Sequence, residues 1–128
     1  WWIIMKQTLY QIYHNSRCSK SRQALELLKS KTKNYKIIKY LEVGIDENDL
    51  GAILNSQNIS KDELIRKNEI TFKNLNLSKY ELNENDIKKL IITNPILLQR
   101  PLITKYTGGL LIKSVIGRPP EIVNTLFD

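Results

Sequence analysis

Cysteine and histidine are almost absent. The chain of 128 residues holds one of each, Cys18 and His14. A single cysteine excludes any disulfide within the chain, and with it the disulfide-stapled scaffold of small secreted domains. The expected setting is a reducing compartment, the cytoplasm. One cysteine and one histidine are also too few for a zinc or other transition-metal site, so no resident metal is expected. Glycine and proline are scarce, at five and four residues. The glycines form neither a P-loop nor a dinucleotide-binding pattern. No apolar run approaches the roughly 20 residues that span a bilayer, so no membrane association is expected.

Basic residues outnumber acidic ones, 20 to 13, for a formal net charge of +7. Two readings stand for that excess: a solvated basic surface, or an anionic partner such as nucleic acid, an oxyanion or a small acidic peptide. The lysines are scattered and the aromatic residues do not interleave with them, so nucleic acid is not an expected partner. The length suits one domain with a real core. In the opening segment, Trp1-Trp2-Ile3-Ile4-Met5-Lys6, Met5 reads as a natural start preceded by an extension, and residues 1–4 stand outside the fold argument. Residues 1–7 are set apart from a single domain over 8–128.

The periodicity alternates between strand and helix. Thr8 to Tyr13 (TLYQIY) alternates and is rich in β-formers, which predicts a strand. A polar loop from His14 to Ser19 follows. Ala24, Leu25, Leu27 and Leu28 then fall at helical spacing, for a helix over about 19–31. Lys36 to Leu41 (KIIKYL) predicts a second strand. Strand, helix and strand form a βαβ unit, which favours parallel pairing.

Next come helices only. Asp46 caps one that carries Leu50, Ile53 and Leu54. Ser60-Lys61-Asp62-Glu63 fits a capping box ahead of Leu64 and Ile65. Asn83 caps another with Ile87, Leu90 and Ile91, and Pro95 stops it. Residues 46–94 therefore read as an all-helical insertion. Strands over 102–106 and 110–116 flank Thr107-Gly108-Gly109, a hairpin turn. Pro119 opens a last helix whose apolar face is Ile122, Val123, Leu126 and Phe127. The fold class is α/β, with a mixed sheet in the order βαβ…ββα around the helical insertion.

Cys18 stands just ahead of the first helix. The first helical N–H groups lack intrahelical partners, and the helix dipole there favours negative charge. A thiol in that place has a lowered pKa, and the thiolate is the nucleophile. The alternative is a buried structural cysteine, although Ser16, Arg17, Ser19, Lys20 and Ser21 are poor company for an apolar core. Ser21 occupies the second position of a Cys-x-x-Cys pair, so any disulfide at Cys18 must be made with another molecule. The N–H groups from Ser19 to Arg22 could also cradle a tetrahedral oxyanion, which would bring nucleophile and anion site together.

His14, in the same loop, is either a bystander or a protonated imidazole that stabilises the thiolate. Arg66, Arg100 and Arg118 each sit beside a turn or an element end. Each is a surface charge or an oxyanion ligand, since the guanidinium fork donates two parallel N–H bonds.

These residues resemble the glutaredoxin-coupled arsenate reductases. YHNSRCSKSR (Tyr13 to Arg22) looks like that family's reactive loop. LIRKNE (Leu64 to Glu69), NPILLQRP (Asn94 to Pro101) and IGRPPE (Ile116 to Glu121) match its other signatures in order, and the likeness covers nearly all of Thr8 to Phe127. The resemblance implies a thioredoxin-like fold and a cis proline at Pro101. It makes Cys18 the nucleophile and gives His14 an influence on its ionisation. It places Arg66, Arg100 and Arg118 around the oxyanion, with Ser19 at the anion cradle. Arsenate is then the substrate, and glutathione and glutaredoxin are external reductants with no bound cofactor.

The likeness has departures. Ser16-Arg17 replace the Pro-Ala of familiar members, which adds a charge beside the thiol. The stretch from Arg100 to Arg118 is slightly longer than in those members. The same superfamily holds reductase-like proteins with other substrates, which leaves open a glutathione-dependent thiol reductase. It also holds Spx-type regulators that bind RNA polymerase; a regulator that senses oxidants through an internal disulfide needs a second cysteine.

Overall fold

A computed structural model describes residues 7–77 and 79–127. The expected N-terminal extension lies outside the described residues except for Gln7. The chain divides into two compact units: a sheet unit that closes at Lys39 and resumes at Arg100, and a helical unit, Tyr40–Gln99.

The sheet unit has four strands in the order β2-β1-β3-β4. β1 spans Thr8–Tyr13, β2 Tyr35–Ile38, β3 Leu102–Thr107 and β4 Leu110–Ile116. β1 runs parallel to β2 and antiparallel to β3, so the sheet is mixed. Between β1 and β2 runs α1, Ser19–Lys31. Its buried residues Ser21, Ala24, Leu25 and Leu28 repeat every three or four positions, which is one helical face. That face meets Tyr10 and Ile12 of β1, Ile103 of β3 and Val115 of β4 in the main core cluster.

The hairpin between β3 and β4 turns on Gly108 and Gly109, at φ 58° and 79°. Positive φ at both central residues is what a tight right-twisted hairpin requires, and glycine alone adopts it without strain.

Two expectations for this unit are corrected. The second strand ends at Ile38, and Tyr40–Val43 forms a helical turn, α2, with Tyr40 fully buried. A short apolar run such as KIIKYL fits either period, and burial of the Tyr40 side chain decided it. The last element is a 3₁₀ helix over Pro120–Phe127 that starts after Pro119. Val123 and Leu126 drop into the core, and the Phe127 ring stacks on Tyr10 with centroids 4.6 Å apart. Lys105 and Lys113 donate to the carbonyls of Leu126 and Thr125, supplying partners that a helix end lacks.

In the helical unit, α3 (Glu47–Ser56) is capped by the Asp46 carboxylate, which accepts the Asp49 N–H. α4 (Lys61–Leu64) carries the Ser60/Glu63 capping box. α5 (Ile70–Asn74) is an additional short helix, not foreseen individually. α6 (Glu84–Thr93) starts at an Asn83/Asp86 capping box. A 3₁₀ turn at Pro95–Leu97 follows. Leu50, Ile53, Ile87, Ile91 and Leu97 are fully buried. Among the described residues, no helix is long and apolar enough to cross a membrane.

Candidate active site

The loop from β1 into α1 is built by its own polar groups. The His14 N–H continues the ladder by donating to the Ile38 carbonyl at 2.9 Å. The Asn15 side chain accepts the Arg17 N–H at 3.0 Å, and the Asn15 carbonyl accepts the Cys18 N–H at 3.0 Å. These bonds fold the chain back so that Cys18 takes the N-cap position of α1, with extended backbone angles and its carbonyl accepting the Arg22 N–H. Arg22 closes the loop from the other side, donating from Nη1 to the Ser16 carbonyl at 2.8 Å.

Cys18 is 8% exposed. Burial pushes its thiol up. The Ser21 N–H, the Arg100 guanidinium through a hydrogen bond and its charge, and the Lys20 N–H outweigh that together, so the thiol lies below its ordinary pKa. The free N–H groups of the first helical turn thus favour a thiolate on the N-cap residue, although the side chain makes no capping hydrogen bond.

Arg118 also reaches the sulfur, with Nη2 3.8 Å from Sγ. It is exposed, so its charge is screened more than that of half-buried Arg100. Its Nε donates to the Arg100 carbonyl at 2.7 Å, which holds the two arginines together. The Gly117 N–H donates to the Pro101 carbonyl at 2.8 Å. Arg100–Pro101 is a cis peptide, as the resemblance implies, and Arg118–Pro119 is a second one that was not foreseen. Gly117 has to be glycine for steric reasons: a Cβ there would lie 2.9 Å from the Pro101 ring and 3.2 Å from both Ala24 and Ile103.

The structure therefore brings Cys18, Ser19, Arg100 and Arg118 to one place. Arg66 belongs to the helical unit. Its N–H donates to the Leu97 carbonyl at 2.7 Å beside the Ile65–Leu98 bridge, and its guanidinium pairs with Glu69 at 3.8 Å.

His14 departs from expectation. It is 9% exposed, and burial, then the charges of Lys29, Lys39 and Arg22, hold its pKa below the usual value. The shift disfavours the protonated imidazole, the alternative in which His14 supplies a positive charge beside Cys18. Its Nδ1 lies 2.7 Å from the hydroxyl of Ser21, which is fully buried and also accepts the Asn15 N–H at 3.1 Å. Sequence reasoning weighed Ser21 as a polar neighbour of Cys18 and as a missing second cysteine, not as a partner of His14. The available signal was its place three residues before Ala24 and four before Leu25, on the buried face of α1.

A buried thiol of lowered pKa, beside two guanidinium groups and the free N–H groups of a helix start, suits a nucleophile that attacks, and then holds, a tetrahedral oxyanion. Comparison with known proteins agrees. Uncharacterized protein YfgD of Escherichia coli K12 is 40% identical over 114 residues, 88% of this chain and 92% of that protein. The arsenate reductase of Haemophilus influenzae is 35% identical over 113 residues, 88% and 93% of the two chains. The solved arsenate reductase from Vibrio cholerae superposes with a TM-score of 0.77 at 30% identity, over 92% of this chain and 97% of that one. This likeness bears out the expected thioredoxin-like α/β fold. The ArsC family matches residues 13–126, and the chain belongs to it.

Proposed function

We propose that the chain is an arsenate reductase that works through a covalent adduct on Cys18, with glutathione and glutaredoxin as electron donors. The observation that carries this reading is the convergence of Arg100 and Arg118 on the Cys18 sulfur at the start of α1. Arsenate is anionic near neutral pH, and bringing it to a thiolate sets two anions together. Several charge-assisted donors are needed to offset that repulsion, and the site offers them. The relatives named arsenate reductase give independent support.

In the first step the thiolate forms an S–As bond, and one arsenate oxygen leaves as water. The N–H groups of Ser19, Lys20 and Ser21, with Arg100 and Arg118, take the charge of the adduct. Glutathione then displaces a second oxygen as water and forms its own As–S bond. The glutaredoxin thiolate attacks the glutathione sulfur and forms a mixed disulfide. The electron pair of the broken As–S bond stays on arsenic, which passes from arsenic(V) to arsenic(III). Hydrolysis of the bond to Cys18 releases arsenite and returns the thiol.

Arg66 is the third cation that the resemblance assigns to the oxyanion. The buried His14–Ser21 pair holds the loop in shape. The reductants are diffusible, so the reading calls for no resident cofactor. A reducing compartment such as the cytoplasm keeps the lone thiol ready.

The test is turnover with glutathione, glutaredoxin and an NADPH-coupled recycling system. NADPH consumption should depend on arsenate and vanish in Cys18→Ser. Consumption that proceeds equally without arsenate overturns the reading in favour of a glutathione-dependent thiol reductase.

A further inference from the structure

The +7 net charge is distributed unevenly. The sheet unit has 13 basic and 3 acidic residues, a net +10, whereas the helical unit has 7 basic and 10 acidic, a net −3. The imbalance is sharpest at the reactive loop. No acidic residue occurs before Glu26, and Arg17 and Lys20 flank Cys18 within one helical turn. Both are exposed, and neither forms an ion pair among the described residues. The other cations of the loop are engaged: Arg22 with the Ser16 carbonyl, Arg118 with the Arg100 carbonyl and the sulfur, and Arg100 with the sulfur. Arg17 and Lys20 are thus surplus to the bonds that build the site.

A compact oxyanion bonded to Cys18 has its oxygens close to the sulfur, among the helix N–H groups. Two exposed cations on long, flexible stems suit charges held farther from the reacting atom. The lone cysteine adds a second requirement. With Ser21 at the second position of the motif, any disulfide made at Cys18 has to be resolved by a sulfur from outside, and a thiol that attacks an adduct held on Cys18 approaches the same loop.

We propose that Arg17 and Lys20 bind the carboxylates of the incoming thiol, so that the site selects a carboxylate-bearing peptide thiol of the glutathione class over a neutral one. The proposal rests on the reading that an external thiol attacks the adduct held on Cys18. Charges on the rim of a site act mainly on the rate of encounter and make that rate dependent on salt.

Thiol–disulfide exchange tests this without arsenate. The Cys18 thiolate attacks one sulfur of a disulfide. A new S–S bond forms to Cys18, the old S–S bond breaks, and the other half leaves as a thiolate with the electron pair. The full chain is mixed with oxidised glutathione, which is anionic, and in parallel with bis(2-hydroxyethyl) disulfide, which is neutral. In Arg17→Glu/Lys20→Glu the rate with oxidised glutathione should fall about tenfold or more. The neutral disulfide should react within about twofold of its wild-type rate, because it responds only to changes in the thiol itself. In the unmodified protein, raising the salt from about 0.01 M to 1 M shortens the screening length from roughly 30 Å to 3 Å. It should slow the anionic reaction and leave the neutral one nearly unchanged.

Equal slowing of both disulfides assigns the two residues to thiol activation and overturns the proposal. So does an anionic rate that ignores both the substitutions and the salt. Arsenate turnover is measured beside the exchange. Charge selection without arsenate turnover removes the reductase reading and keeps the docking of the anionic thiol. Turnover without charge selection removes the docking alone.

Discussion

His14 Nδ1 and Ser21 Oγ lie 2.7 Å apart, both buried, and their bond joins the end of the first strand's loop to the first turn of the helix that carries Cys18 at its cap. Ser21 accepts the Asn15 N–H as well, so one hydroxyl ties both sides of the loop. Removing it leaves a buried ring nitrogen and a half-buried N–H without their partner. Ser21→Ala should destabilise the fold by about 1–3 kcal/mol, the cost of unsatisfied buried polar groups. Denaturant unfolding measures it, and a change within error removes the tie from the account.

Because the pKa of His14 is lowered, the residue couples stability to pH. The unfolded imidazole gains a proton near its usual pKa of about 6.5, whereas the folded one gains it only at lower pH. Below about pH 6.5 the unfolded state therefore binds more protons, and stability should fall as pH falls through that window, above the carboxylate range. His14→Gln should flatten the slope there. Thermal unfolding across that window decides it; a wild-type curve already flat between pH 6.5 and the carboxylate range contradicts the buried neutral ring.

Cys18 should alkylate with a midpoint below the roughly 8.5 of a free thiol. Removing the Arg100 charge should raise that midpoint, since its bond and its charge both favour the thiolate. His14→Ala should not raise it as the loss of a neighbouring positive charge would. Iodoacetamide rates against pH distinguish the two.

Arg100→Ala and Arg118→Ala should each lower arsenate turnover by about tenfold or more, the effect of losing about 1.4 kcal/mol of transition-state stabilisation. Lysine should rescue only in part, because it keeps the charge and loses the fork. Arg118→Ala also frees the Arg100 carbonyl, so the two losses should combine non-additively in the double variant. Arg66→Ala tests the third cation by the same assay. Full turnover in all three variants removes the arginines from the mechanism.

Gly117→Ala pushes a methyl group against Pro101, Ala24 and Ile103 at once. Overpacking of that kind should cost about 1–3 kcal/mol. It should also disturb the neighbouring Arg118, and so lower turnover. An unfolding midpoint and a turnover both equal to wild type show that the segment yields freely.

The strand TLYQIY was legible from its alternation and β-formers, LLIKSVI from the Gly-Gly turn ahead of it, and the helix over Ser19–Lys31 from its apolar spacing, whose buried face repeats every three or four positions. The capping box at Ser60 and the cap at Asn83 were legible because side chain and backbone meet within three residues. KIIKYL misled because its burial is set by what packs on Tyr40, not by its own pattern. Ile70–Asn74 is too short for any period to register. In the site, Cys18 could be found from its place before a helix. The approach of Arg100 and Arg118 could be reached only through the family resemblance and not from spacing, since it depends on β3 pairing with β1 across some 90 residues of chain. The charge state of His14 was misjudged because its burial and three neighbouring cations are products of the fold.

The first strand waits for a partner made much later. β1 leaves the ribosome well before its antiparallel neighbour β3 and the helix that closes its core. During synthesis the Cys18 loop exists long before Arg100 and Arg118 do. A nascent chain therefore carries the thiol before the Arg100 guanidinium that helps lower its pKa is in place. That share of the activation comes only when β3 pairs with β1, so a chain cut before Arg100 keeps the cysteine and lacks its charged partner.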